Sequence, residues 1–134
     1  MNVRCLIVDD SSRFLAAARR LLERQGMLVV GVASTKAQAL HLADELRPDV
    51  TLVDIDLGGE SGLDVADELS EAAAPAPVIL ISTRDEDDFG GLIAASSAIG
   101  FLPKTTLSAS AIRDMFAAWA TAPLRTKSAG PTGS

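Results

Sequence analysis

Thr51-Leu-Val-Asp-Ile-Asp-Leu-Gly-Gly-Glu-Ser-Gly62 sets the architecture of the whole chain. Apolar, β-type residues from Val50 to Val53 run straight into Asp54. A second acid follows at Asp56, and a glycine-rich turn leads into the next helical pattern. A buried strand that ends in a carboxylate carries it to the rim of a sheet, and in open α/β folds ligands occupy the crevice beyond the strand ends. Leu6-Ile-Val8 does the same near the start, running into Asp9-Asp10, and Phe101-Leu-Pro-Lys104 is an apolar run tipped by a lysine.

The flanking sequence fits that frame. Arg4 to Val8 is a continuous apolar run, as in a strand covered on both faces. From Ser11, residues Phe14, Leu15, Ala18, Leu21 and Leu22 fall at helical spacing, with Asp10 or Ser11 as N-cap and Gly26 closing the helix. Met27 to Val32 reads as a second strand. Ser34 then caps a helix with Ala39, Leu42, Ala43 and Leu46 on its apolar stripe, and Pro48 stops it. A third helix is predicted over 62–72, with Leu63, Ala66 and Leu69 inward. Residues 75–77 read as a linker, and Val78 to Ile81 as a fourth strand ending at Ser82.

The pattern predicts a fourth helix over 85–97. Asp85 to Asp88 suit its N-terminus, but Gly90-Gly91 weaken it by about 1 kcal/mol each. Gly100 to Pro103 is a fifth strand. The last helix carries Ile112, Met115, Phe116 and Trp119 at i, i+3, i+4 and i+7, which reads all four as core. The domain is therefore expected to span 1–122, with a disordered tail or linker at 123–134 where Ser, Thr, Gly and Pro dominate.

Five strands alternating with helices imply a parallel sheet with right-handed crossovers and helices on both faces. The expected fold is α/β, a flavodoxin-like (βα)5 three-layer sandwich with strand order 2-1-3-4-5. Pro103 supports it, because proline is tolerated in an edge strand and the fifth strand is then an edge. The same order brings Asp9, Asp10 and Asp54 to one rim.

At 134 residues the chain suits one domain. Its net charge of −6 argues against nucleic-acid binding by this domain itself. Cys5 is the only cysteine, which excludes an internal disulfide and a cysteine metal site and reads as a buried small hydrophobe. No apolar run approaches the roughly 18 residues that cross a bilayer, and the start lacks a signal-peptide pattern. A cytoplasmic protein without membrane attachment is expected.

Carboxylates crowded at one rim repel. Two unit charges about 4 Å apart cost on the order of 4 kcal/mol at an effective dielectric near ~20. Oxygen donors without histidine or cysteine suit a hard ion, Mg2+ (or Mn2+). With Lys104 opposite, such a site would offset the charge of a phosphoryl group, whose transfer needs mainly positioning and electrostatic stabilisation. Aspartate is a competent nucleophile toward phosphorus. Singly these residues are ordinary, since an Asp after a strand is mostly a turn residue and a lone lysine mostly solvated. Their joint placement at matching strand ends is not.

Leu6-Ile-Val-Asp-Asp10, Val53-Asp54 with Gly62 eight residues on, Pro77-Val-Ile-Leu-Ile-Ser82 and Gly100-Phe-Leu-Pro-Lys104 together resemble the signature blocks of bacterial two-component response-regulator receiver domains. The resemblance runs from residue 2 to about 121, and its last block is similar to receivers that often precede a helix-turn-helix effector. It implies a phosphorylation-activated switch in a phosphorelay, which catalyses only its own phosphorylation and dephosphorylation. Asp54 is then the phosphoacceptor and a metal ligand. Asp10 is the direct Mg2+ ligand of the acidic pair, Asp9 acts through water, and Asp56 supplies a backbone carbonyl. Ser82 is the hydroxyl that turns toward the phosphoryl group, Lys104 its cationic partner, and Phe101 the aromatic coupled to that hydroxyl.

The implied partner is a sensor histidine kinase or phosphotransfer protein docking on the first helix, where Arg13, Arg19 and Arg20 lie. A homodimer through the face of the fourth helix, fifth strand and fifth helix is the other implied contact. His41, the only histidine, is expected to be an exposed residue of the second helix. Three departures stand out. Thr105 follows Lys104 where the family commonly has a cis-bonded proline, and a cis bond to threonine would cost ~3 kcal/mol. Thr83 replaces a small residue after Ser82. Asp56 and Arg84 occupy the two positions that tune phosphoryl lifetime.

Rival readings come from other classes. Asp54-Ile-Asp56 also resembles the opening of haloacid-dehalogenase-like phosphatases, with Asp54 as nucleophile and Asp56 as acid/base, although Asp9-Asp10 would then be unexplained. A non-phosphorylated receiver-like interaction module is a second rival. A flavin protein is disfavoured, because the Asp9-Asp10 loop would repel the cofactor's phosphate.

Overall fold

A computed structural model describes residues 3–72 and 76–122, so the tail and the first residue of the expected 75–77 linker lie outside the described residues. The chain runs β1 (Arg4–Val8), α1 (Ser12–Arg24), β2 (Leu28–Ala33), α2 (Lys36–Leu46), β3 (Val50–Asp54), β4 (Asp56–Leu57), β5 (Glu60–Ser61), α3 (Gly62–Ser70), β6 (Val78–Ser82), α4 (Leu92–Ala95), β7 (Gly100–Pro103) and α5 (Ala109–Thr121). Five strands form one parallel sheet in the order β2-β1-β3-β6-β7. This is the expected 2-1-3-4-5 order, with Pro103 on the edge strand β7.

Alternate strand residues face opposite sides, so the continuous apolar runs feed two cores. Ile7, Leu52, Ile79 and Ile81 pack with Leu15 and Leu22 of α1 and Ile112 of α5. Leu6, Val8, Val53 and Leu80 pack with Ala39 of α2, Val65 and Leu69 of α3, and Phe101. Cys5 is fully buried as expected, and burial pushes its thiol up to about 12. No helix among the described residues is long and apolar enough to cross a membrane.

Caps fix the helix ends. Ser11 Oγ accepts the Phe14 N–H, and Gly26, at φ 87°, lets Met27 N–H reach the Leu22 carbonyl at 2.9 Å. The α2 cap is Thr35 rather than Ser34. Thr35 Oγ1 accepts the Gln38 N–H, while Ser34 N and Oγ both donate to Gln38 Oε1. At α5, Ser108 Oγ accepts the Ala111 N–H, and Gln25 Oε1 accepts the Ala109 N–H at 2.7 Å from across the fold. Gln25→Ala is expected to cost about 1 kcal/mol in urea unfolding. Gln25→Glu, which keeps an acceptor at a helix N-terminus, should stay close to the parent.

Two further expectations are corrected. The helix over 85–97 is broken: Glu86–Phe89 is a 3-10 turn, Gly90 adopts φ 57° and ψ −129°, and only Leu92–Ala95 is α-helical. The backbone cost of Gly90-Gly91 is met by interrupting the helix. Second, Phe116 and Trp119 are half-buried, Phe116 lying against the core and Trp119 beside it at 6.1 Å, because α5 buries only Ala109 and Ile112 fully. The bond between Lys104 and Thr105, left open by the sequence, is not cis: no described peptide bond is, and Lys104–Thr106 form a 3-10 turn. The glycine-rich turn after Asp56 also holds more order than its composition suggests: β4 and β5 pair across Gly58-Gly59, with Gly58 at φ 60°.

Candidate functional site

Strand register assembles the site. Val8 of β1 lies beside Val53 of β3, so the residues that follow, Asp9 and Asp54, emerge side by side. Asp9 is fully buried; its N–H donates to the Ala33 carbonyl and its Oδ1 accepts the Ser11 N–H at 2.8 Å. Asp54 is 5% exposed, and its Oδ1 accepts the Asp56 N–H at 3.0 Å. Asp10 is exposed, yet oxygens of Asp9, Asp10 and Asp54 all lie within 4.8 Å of one another.

Lys104 reaches over from the end of β7. Its Nζ donates to Asp54 Oδ2 at 3.1 Å and forms an ion contact with Asp9 Oδ2 at 2.5 Å, although no aligned hydrogen bond satisfies that second oxygen. Burial pushes the Asp54 carboxyl up from 3.8 to about 6. Lys104 and the Asp56 amide pull against that rise and Asp9 adds to it. Burial opposes the charge on Lys104, but its contacts with Asp9 and Asp54 outweigh it and hold the ammonium above its ordinary value. A set of donors that are all carboxylate, gathered within 4.8 Å, fits a hard divalent cation.

The other anticipated residues stand around this centre. Ser82 is buried one residue beyond the Asp54–Ile81 register, and its Oγ accepts the Arg84 N–H at 3.0 Å. Phe101 is buried with its ring 6.2 Å from Phe89. Thr83 is exposed. The Asp56 side chain is also exposed and lies 3.8 Å from Arg84, so only its backbone serves Asp54. Arg84 further approaches Asp88 at 4.0 Å and caps the Phe89 ring at 4.6 Å. Arg13, Arg19 and Arg20 are exposed on α1, outside the acid cluster, with Arg19 paired to Glu23 at 3.3 Å. His41 is exposed on α2 near Glu45, as expected.

Two contributors were not legible as such. Phe14 reads in sequence as part of the α1 stripe, yet its ring centroid is 4.3 Å from Lys104 Nζ. Phe89 reads as one residue of a weak helix, yet it joins Arg84 to Phe101. Gly62 was visible only through its spacing from Asp54. The cause is steric, since a Cβ there would lie 2.0 Å from the Asp54 carbonyl oxygen.

The response regulator receiver domain family matches residues 5–117. The chain belongs to this family. The receiver is 31% identical over 103 residues to the response regulator GacA of Pseudomonas aeruginosa, covering 76% of this chain and 48% of that protein. It is 26% identical to the DNA-binding transcriptional activator EvgA of Escherichia coli K12, over 74% of this chain and 48% of EvgA. The receiver thus spans about half the length of these relatives. The signal receiver domain of the response regulator NarL from Mycobacterium tuberculosis superposes with TM-score 0.77 at 32% identity, covering 87% of this chain and 97% of that one. A Burkholderia pseudomallei response regulator, solved with a phosphorylated aspartic acid, a calcium ion and citrate, superposes with TM-score 0.72 at 25% identity, over 86% of this chain and 66% of that one. Receivers are phosphorylation-activated switches of two-component systems. No finding favours the phosphatase reading, and the Asp56 side chain it needs at the nucleophile lies beside Arg84 instead.

Proposed function

We propose that Asp54 accepts a phosphoryl group from a phosphohistidine on a sensor histidine kinase or phosphotransfer protein. The observation that carries this reading is the Lys104 ammonium 3.1 Å from an Asp54 oxygen, beside two further carboxylates within 4.8 Å. Asp54 attacks phosphorus as the bond to the donor imidazole nitrogen breaks. Asp10 and Asp54, with the Asp56 carbonyl and Asp9 through water, would hold Mg2+ (or Mn2+), which would supply neutralising charge to the phosphoryl oxygens. Lys104 shifts a donor from carboxylate to phosphoryl oxygen, and Ser82, whose Oγ accepts the Arg84 N–H, turns its O–H to donate to another phosphoryl oxygen. Phe101 then follows Ser82, and the altered face of α4, β7 and α5 meets an output domain, a partner or a second copy. The interrupted α4 region suits that role, because switching segments are drawn from weakly held structure.

The exposed arginines of α1, Arg13, Arg19 and Arg20, form the docking surface for the phosphodonor. The switch unit spans residues 1–122 and works in the cytoplasm. It binds no nucleic acid itself, in keeping with its net charge of −6. Intact-mass spectrometry after incubation with Mg2+ and phosphoramidate tests the reading. The parent protein and Asp56→Ala should each gain one phosphoryl group and Asp54→Ala none. A phosphorylated Asp54→Ala protein, or sustained phosphate release from simple esters, would overturn it.

A further inference from the structure

An ammonium group has three N–H donors. At Lys104 two partners are carboxylates, Asp9 Oδ2 and Asp54 Oδ2, and the third contact is the neutral ring of Phe14 at 4.3 Å. We propose that Phe14 is a positioning residue that holds the Lys104 ammonium beside Asp54 through its ring face. The proposal rests on Asp54 being the phosphoacceptor and Lys104 its cationic partner.

Phe14 is itself held by the site. Asp9 Oδ1 accepts the Ser11 N–H, Ser11 Oγ accepts the Phe14 N–H, and the Phe14 ring faces the ammonium that contacts Asp9 Oδ2. The contacts form a closed circuit through one acid, one cap, one ring and one lysine. Phosphorylation changes the carboxylate contacts, because Asp54 becomes an acyl phosphate and Lys104 must re-aim a donor at the new oxygens. The ring contact survives that exchange. It also attracts the ammonium without adding a third negative charge to the crowded acid set. A merely structural Phe14 would fill space against the core, a role that a similar-sized aliphatic side chain serves equally well.

Phe14→Leu keeps an apolar side chain and removes the ring face, Phe14→Met does so with a flexible filler, and Phe14→Tyr keeps the ring. In the metal-free, unphosphorylated full chain, the Lys104 ε-methylene protons should show an upfield NMR ring-current shift in the parent and in Phe14→Tyr, and lose it in Phe14→Leu and Phe14→Met. The initial phosphorylation rate with phosphoramidate and Mg2+ should fall about threefold to tenfold in the Leu and Met variants and recover in Phe14→Tyr. Parent-like rates in both aliphatic variants, an equal fall in Phe14→Tyr, or no upfield shift in the parent would overturn the proposal. A parent protein that takes no phosphoryl group refutes the Asp54 reading instead, and the ring-current measurement still decides whether Phe14 holds Lys104.

Discussion

Gly62→Ala is expected to lower stability by about 3 kcal/mol or more, the upper part of the range for overpacked sites. A Cβ at residue 62 would lie 2.0 Å from the Asp54 carbonyl oxygen and 2.8 Å from Ile55 Cα. Both are backbone atoms of the segment that leaves β3, so no side-chain rotation relieves the clash. The chain would have to separate α3 from β3, stretching the 2.7 Å hydrogen bond from Gly62 N–H to the Ile55 carbonyl. Urea unfolding measures the loss. Gly59→Ala is the control, because its added methyl meets nothing within 4 Å and it should stay within about 0.5 kcal/mol of the parent. A Gly62→Ala midpoint equal to the parent's would show that the β3–α3 turn has slack.

The second expectation is a gain. Asp54→Asn should be more stable than the parent in metal-free buffer, by an amount that grows with pH. The Asp54 carboxyl titrates at about 6 when folded against an ordinary 3.8, so across that window the folded chain holds more protons than the unfolded one. Stability therefore falls as pH rises from about 4 to above 6. The full shift bounds the effect at about 3 kcal/mol, and solvent access and the coupled Lys104 contact reduce it to about 1–2 kcal/mol. Asparagine removes that titration, so the two proteins should converge near pH 4 and separate toward pH 7. Added Mg2+ should raise the parent's midpoint more than the variant's, because binding to the folded state alone stabilises it. A pH-independent difference would remove burial of the Asp54 charge as the cause. The residue proposed for phosphorylation thus carries a stability penalty that its chemistry requires.

Much of this site was legible because the strands are buried on both faces, which makes β1, β3 and β6 almost wholly apolar inside, with polar residues at their ends. Once the strand order is fixed by alternation and by Pro103, the meeting of Asp9, Asp10 and Asp54 follows. Less legible were contacts that no local period encodes. Phe14 and Lys104 are far apart in sequence, and the helix turn that carries Phe14 is capped by Ser11. Arg84 was legible as one of the two positions that tune phosphoryl lifetime, but not as the cation joining Asp56, Asp88 and Phe89. In the α4 region the acidic start and the double glycine pull in opposite directions. Periodicity favoured one helix, and the backbone freedom of Gly90 divided it.

The outer border of the sheet has a consequence for self-association. β7 is only four residues long, and Pro103 removes one of its amide hydrogens. Such a margin is a poor template for a foreign strand, and short, proline-bearing borders guard against edge-to-edge aggregation and fibril seeding. Two copies meeting on this side would therefore have to recognise each other through side chains rather than by lengthening the sheet.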